Sequence, residues 1–378
     1  MARPSRLNLA LTLSALALSA CGENLTQPEG AGEQPAVAAS ASLPSGTWTI
    51  RALMPDQYWR YGLAAEVVTT AAGQSTVYVF GGRFNHGTPN PAATTILAYD
   101  AGSTTPGGPF ATDSWTTRAA RFTGAATNGA GRIKDKIYIS GGNRDFTGPW
   151  DASGVSSRLV AYDWRRDQMT RKADMPRATA EGVSGVINNK LYVLAGRCAG
   201  QSLCRDFYRY DPATNAWTTL PPAPNSHRHG AGAVVGGKFY VAGGGASPFR
   251  AFDVYDPATN TWKTAGTLPS DWKFAVGTKL GGKFYVTGIQ VGERVGDRAN
   301  LPGFFVYDPQ TNNWENLGGY VGPTGEGGQF LLRPLAELSV LLDGREHLLA
   351  LGSGHLFTDD TVKPAGTIDP GPPYIYAP

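Results

Sequence analysis

The chain has 378 residues, with 33 basic and 30 acidic side chains, a formal net charge of +3 and charged residues at only 17%. Its 49 Gly and 27 Pro stand beside 41% hydrophobic residues, 9 Trp and 16 Tyr. That balance excludes a disordered polymer, which lacks apolar groups for a core, and disfavours long helices, where each Gly or Pro costs roughly 1 or 3 kcal/mol relative to Ala. The basic residues are scattered, so a nucleic-acid footprint is excluded, and the length admits one large all-β domain or two ordinary domains.

The chain opens with Arg3 and Arg6, then an apolar run from Leu7 to Ala20. This is the layout of a secretory signal, too short to cross a hydrocarbon core of roughly 30 Å. Leu18, Ser19, Ala20 and Cys21 follow directly, and this tetrad resembles the lipobox of bacterial lipoproteins. The resemblance implies cleavage before Cys21 and attachment of a lipid there. Gly22 at the next position implies release to the outer membrane, and the expected location is the outer membrane, the cell surface or the periplasm. Removing residues 1–20 takes Arg3 and Arg6 away, so the net charge falls from +3 to near +1. Residues 21–45 are rich in Gly, Pro, Ala, Ser, Gln and Glu and read as a flexible tether.

From residue 46 to 378 the chain repeats itself. An apolar strand ending in small residues recurs at Tyr78–Gly82, Tyr138–Gly142, Tyr192–Gly196, Tyr240–Gly244 and Tyr285–Ile289. Each is followed by a Tyr-Asp pair and then by a large side chain. The sets are Tyr99, Asp100 and Trp115; Tyr162, Asp163 and Met169; Tyr210, Asp211 and Trp217; Tyr255, Asp256 and Trp262; Tyr307, Asp308 and Trp314. Such periodicity is the signature of an architecture in which one supersecondary unit cannot bury both of its faces alone. These elements, in this order, resemble the kelch repeat. The resemblance implies a four-stranded antiparallel blade: strand a begins after an Arg, strand b ends in Gly-Gly, strand c ends in Tyr-Asp and strand d begins at the Trp.

The two ends of the repeat region are incomplete. Residues 46–55, with Trp48, read as a strand d with no partners before it. Residues 336–342, 347–352 and 373–376 read as strands a, b and c with no d. The expected fold is therefore an all-β, six-bladed kelch β-propeller whose last blade is closed by the N-terminal strand, which removes free sheet edges. Length alone would also permit seven blades, but only six strand-b signals are visible. Cys198 and Cys204 bracket a short b–c loop and are expected to form a disulfide, with free thiols or a metal pair as the alternatives.

The d–a and b–c connections of an antiparallel blade lie on one face. Aligning the units there places Arg60, Arg121, Arg177, Arg228, Lys273 and Arg333 as one cation per blade, with Arg83, Asn143, Arg144, Arg197 and His355 at larger radius. A ring of cations around a concave mouth favours an anionic ligand. The competing reading is that a repeat-consensus Arg pairs with a neighbouring blade's Asp or with carbonyls. Four residues beyond these cations the alignment places Ala64, Ala125, Glu181, Gly232, Gly277 and Glu337. Glu181 and Glu337 are thus expected to face one another across the channel, as candidate acid or base groups or as partners of Arg.

The five His show no metal-ligand spacing, and neither a phosphate-binding loop nor a nucleophile elbow occurs, so no metal and no cofactor are expected. Copper radical oxidases on kelch propellers need a Cys cross-linked to a Tyr, and the two loop Cys sit in one short segment instead. The reading is a lipid-anchored, monomeric binding module for an anionic glycan, an acidic peptide or an envelope protein. The alternative is a carbohydrate enzyme similar to the kelch-type sialic acid mutarotase (N-acetylneuraminate epimerase), with Arg121, Arg177 or Arg228 holding a carboxylate and Glu181 moving a proton.

Overall fold

The computed structural model describes residues 47–50, 60–84, 94–101, 114–122, 124, 127–143, 154–290, 303–319, 333–342, 345–353 and 374–377. The expected signal segment and expected tether, with Cys21, lie outside the described residues together with Arg144 and His355, as do the side chains of Arg60, Arg83, Lys273, Arg333 and Glu337.

Among the described residues every regular element is a strand apart from short turns. β1 (Thr47–Ile50) comes first. The first repeat follows as β2 (Arg60–Tyr61), β3 (Ala64–Thr69), β4 (Ser75–Phe80), β5 (Arg83–Phe84), β6 (Thr95–Asp100) and β7 (Ser114–Arg121). The second holds β8 (Ala130–Ile133), β9 (Lys136–Ser140), β10 (Leu159–Asp163) and β11 (Gln168–Arg171). The third holds β12 (Thr179–Ala180), β13 (Val183–Ile187), β14 (Lys190–Leu194), β15 (Arg197–Cys198), β16 (Phe207–Asp211) and β17 (Ala216–Leu220). The fourth holds β18 (Ala231–Val235), β19 (Lys238–Ala242), β20 (Ala251–Asp256) and β21 (Thr261–Thr267). The fifth holds β22 (Trp272–Leu280), β23 (Lys283–Gln290), β24 (Gly303–Asp308) and β25 (Asn313–Gly319). β26 (Arg333–Leu342), β27 (Arg345–Ser353) and β28 (Tyr374–Ala377) follow.

Each of these five repeats forms its own four-stranded antiparallel sheet, and the whole is an all-β propeller. A further four-stranded sheet has the order β1-β28-β27-β26 and so draws on both ends of the repeat region. Its outer pairing sets Thr47 against Ala377 and Trp48 against Tyr376. Two-stranded ribbons, β2 with β5 and β12 with β15, extend the first and third repeats.

The recurring residues do specific work. Tyr210, Tyr255 and Tyr307 each donate a hydroxyl hydrogen bond to the Asn five residues on, at 2.6–2.7 Å. Those residues, Asn215, Asn260 and Asn312, hold φ of 52°, 57° and 59°, a left-handed turn position that Asn tolerates. The Asp of each pair accepts the amide two residues on and also an ammonium from the start of strand b, as in Lys238–Asp256 at 2.8 Å and Lys283–Asp308 at 3.2 Å. Trp217 and Trp262 donate their indole N–H to carbonyls of the preceding repeat, Ala173 and Pro221.

The Gly pairs solve a crowding problem. Gly81 and Gly82 have φ of 59° and 95°, and a Cβ on Gly81 would lie 2.0 Å from the carbonyl oxygen of Gly124 in the next repeat. Gly82 N–H donates to that same oxygen at 3.2 Å, and Gly142 and Gly244 make the matching bonds to Thr179 and Trp272. Backbone can approach this closely only where no side chain intervenes.

The core is a series of apolar layers between successive sheets. Tyr78 and Phe80 meet Ile137, Ile139 and Tyr162; Tyr138 and Leu159 meet Leu191, Val193 and Tyr210. Tyr192 and Phe207 meet Phe239 and Tyr255, and Tyr240 and Phe252 meet Phe284 and Tyr307. The sheet built from both ends packs Leu348 on Phe304 and Val306, and Leu349 and Leu351 on Val77, Val79 and Tyr99.

Candidate functional site

Strand register corrects the expected ring of cations. Ala64, Val183 and Ala231 pair with Phe80, Leu194 and Ala242, the residues just before the small pair that ends strand b. Counted from these, Arg60, Arg177 and Arg228 precede their reference residues by different distances, and Arg121 is the last residue of β7 rather than the start of an inner strand. The cations therefore do not share one level. Length variation in the d–a connections, which a gap-free alignment cannot see, is the cause.

The same register moves Glu181 onto the level of Gly62 and His229, and the three share φ of 57°, 63° and 60°. Glu337 instead pairs with Ala350, one step beyond the Ala336–Leu351 pair. Glu181 and Glu337 thus sit at different depths, contrary to the expectation that they face one another across the channel.

Glu181 is buried among cations. Its Oε2 accepts Nε of Arg228 at 2.5 Å, with His229 Nε2 at 3.4 Å and Arg197 Nε at 3.8 Å. Its side chain has no exposed surface, and Oε1 has no hydrogen-bond partner. Arg197, itself buried, donates from Nη2 to Asn143 Oδ1 at 2.5 Å. Beside this cluster Phe274 is 42% exposed, its ring centroid 4.6 Å from that of His229. Arg177 lies in the loop ahead of β12, where Nη1 donates to Asp206 at 3.2 Å and Nη2 to the carbonyl of Ala199 at 2.9 Å. Arg121 donates through Nη1 to the carbonyls of Arg118, Ala119 and Ala120. Cys198 and Cys204 form a disulfide, with Cα atoms 5.7 Å apart.

The connection before β18 is fastened from below. His227, fully buried, sets Nδ1 against the carbonyl of Gly243 at 2.9 Å and Nε2 against Asp253 at 3.0 Å. Asp253 also accepts Asn225 N–H and Nδ2 at 3.1 Å and Thr264 Oγ1 at 2.9 Å. Burial alone would raise the Asp253 carboxyl, but the bonds from His227, Thr264 and Asn225 outweigh it and hold the group below the usual carboxylate range. His227, Arg228 and His229 are thus consecutive residues gripping two buried carboxylates.

Sequence reasoning passed over Glu66. It lies in β3 and lines a cavity of about 210 Å³ with Val67, Gly232, Ala233, Val234, Thr278, Lys279 and Leu338, residues of β3, β18, β22 and β26. Its oxygens accept the amides of Val67 at 2.9 Å and Arg132 at 3.1 Å, tying β3 to β8. Burial pushes its carboxyl up to about 7, against those two N–H donors and the Arg132 charge. The signal was a lone acid between Ala65 and Val67 on an innermost strand.

Comparison with known proteins agrees with the repeat architecture. The family model of the KLHDC2/KLHL20/DRC7 Kelch-repeats domain matches residues 127–326. Kelch-like protein 15 of Gallus gallus is 33% identical over 116 residues, 30% of this chain and 22% of that protein. Kelch-like protein 25 of Xenopus tropicalis is 29% identical over 175 residues, 44% of this chain and 27% of its own length. Kelch-like protein terF of Aspergillus terreus is 28% identical over 138 residues, 35% and 30% of the two chains. The matched stretch is under a third of each of these relatives.

Proposed function

Because the chain belongs to the kelch-repeat family, we propose that it is a binding module that presents the face carrying Arg177, Arg228, His229 and Phe274 to a protein partner with acidic groups. The observation that carries this reading is Phe274: a large apolar side chain left exposed, set among a cluster that holds more cations than carboxylates. An exposed aromatic beside Arg side chains is the composition of binding hot spots, and the surplus positive charge supplies long-range attraction for an anionic partner. An anionic glycan shares the charge but not the need for an apolar contact. The carbohydrate-enzyme reading fits less well, because Glu181, its proton carrier, is sealed from solvent with Oε2 occupied by Arg228.

In this reading the sheet formed by β1 and β26–β28 serves as a sixth blade that closes the ring, and Cys21 carries the lipid that tethers the domain. Deleting residues 45–55 then lowers the melting temperature of the whole domain, and a truncated chain that melts like the intact one overturns the closure. Cys21→Ser releases the protein from the membrane fraction, and continued palmitate labelling of that variant overturns the anchor.

The binding reading is tested on arrays of acidic peptides and of anionic glycans, with the intact chain, Phe274→Ser and Arg177→Ala. Saturable peptide binding that falls about tenfold or more in both variants supports it. Binding that both variants retain, or that is confined to glycans, overturns it.

A further inference from the structure

The b–c loop of the third repeat brings three metal-ligating atoms together. The sulfurs of Cys198 and Cys204 and a carboxylate oxygen of Asp206 lie within 4.8 Å of one another, and Cys198 Sγ is 3.6 Å from Asp206 Oδ2. We propose that reducing the Cys198–Cys204 disulfide turns this loop into a binding site for a thiophilic divalent cation of the zinc class, held by both thiolates and Asp206.

Backbone hydrogen bonds hold the donors in place without the disulfide. Cys198 exchanges two hydrogen bonds with Gln201, at 3.0 and 2.9 Å, and its strand β15 pairs with β12 through Thr179. Cys204 N–H donates to Gly196 at 3.0 Å, and the Asp206 carbonyl accepts Ala195 N–H at 2.9 Å. Opening the S–S bond therefore leaves the main chain that positions all three donors anchored.

The environment suits the ion. Both Cys are buried, at 0% and 1% exposure, while the Asp206 side chain is 34% exposed, which leaves a solvent side for a fourth ligand. Two thiolates with one carboxylate form a soft-weighted set suited to zinc and its congeners rather than to calcium or magnesium. Those three ligands carry three negative charges, and a divalent ion with the Arg177 guanidinium 3.2 Å from Asp206 carries three positive ones. Tyr208 donates its hydroxyl at 3.0 Å to the same Asp206 oxygen, Oδ2, that faces Cys198, and so fixes the carboxylate's orientation.

The chemistry balances with a trialkylphosphine as reductant. Phosphorus attacks one sulfur and the S–S bond breaks. Water delivers its oxygen to phosphorus, giving the phosphine oxide, and its two protons go to the two sulfurs. Metal binding then displaces those two thiol protons to solvent.

The test uses the chain with Cys21→Ser, so that the pair supplies the only thiols, reduced with the phosphine and titrated with Co²⁺. One equivalent is expected to produce a thiolate-to-cobalt charge-transfer band that Zn²⁺ bleaches, with no band before reduction. Asp206→Asn is expected to keep the band but weaken affinity about 10-fold or more, and Cys204→Ser to abolish it. The proposal fails if the reduced parent gives no band, if Asp206→Asn binds as tightly as the parent, or if the urea-unfolded reduced chain binds equally well.

Discussion

Asp253→Ala isolates the contribution of one buried polar node. The carboxylate is fully buried and accepts hydrogen bonds from Asn225 N–H, Asn225 Nδ2, His227 and Thr264. Removing it leaves the Nε2 edge of a buried imidazole and a Thr hydroxyl without that acceptor, and frees the connection that carries Arg228 and His229. Losing one partner of a buried pair costs about 3–5 kcal/mol, more than the methyl group left behind can return. A domain of roughly 330 residues unfolds with an entropy near 0.7 kcal/mol/K, so a loss of about 4 kcal/mol lowers the melting temperature by roughly 6 °C. The contrast is full well above the ordinary carboxylate value. It shrinks in acid, because a carboxyl held low in the folded state contributes stability that is lost as pH falls through its folded value. Tryptophan fluorescence melts at neutral pH measure the shift. Asp256→Ala, which removes a carboxylate from a solvent-facing pair with Lys238, is the control and moves the midpoint far less. If Asp253→Ala melts within about 1 °C of the parent, the node does not hold the connection.

Glu66 makes the opposite prediction. Its carboxyl is raised from 4.5 to about 7 in the folded chain, so folding retains its proton more tightly than the unfolded state does. Its contribution is most favourable below the ordinary value and is lost as pH rises from about 4.5 through 7, by about 2–3 kcal/mol. Urea midpoints across that window are expected to slope downward in the parent and less so in Glu66→Ala; parallel slopes would refute the assignment. Gly81→Ala and Gly236→Ala separate strain from collision. Both positions have positive φ, 59° and 56°, but a Cβ at Gly81 meets the Gly124 oxygen at 2.0 Å whereas one at Gly236 meets nothing within 4 Å. The second is expected to cost about 1 kcal/mol and the first clearly more, measured by denaturant midpoints; equal losses would refute the crowding argument.

Much of the fold was legible because the repeat states the same local solution many times. The Tyr-Asp pair and its Asn tail specify a turn, the Trp or Met after it starts the outer strand, and the small pair ends strand b; each is decided by residues close in sequence. The terminal strands β1 and β28 were legible as complementary remainders, and Thr47–Ile50 pairs with Tyr374–Ala377 in that sense. The chain's high Gly and Pro content is explained by the same local demands, at strand ends and turns.

The candidate site was legible in composition and not in arrangement. Arg177, Arg197, Arg228 and Glu181 were singled out, yet the level of each depends on how many residues the d–a connection spends before the inner strand begins. Spacing from a cation cannot count those residues; hydrogen-bond register can, and it separates Glu181 from Glu337. Glu66 looked like one acid in an ordinary strand until neighbouring strands closed around it and left it half-buried beside a cavity. By itself the sequence determined the strands, the turns and the family, since these follow from contacts within a few residues. Only the tertiary structure decided which charges are buried, which cations share Glu181 and which carboxyl is raised. Burial and pairing belong to neighbours that the chain brings together from distant positions.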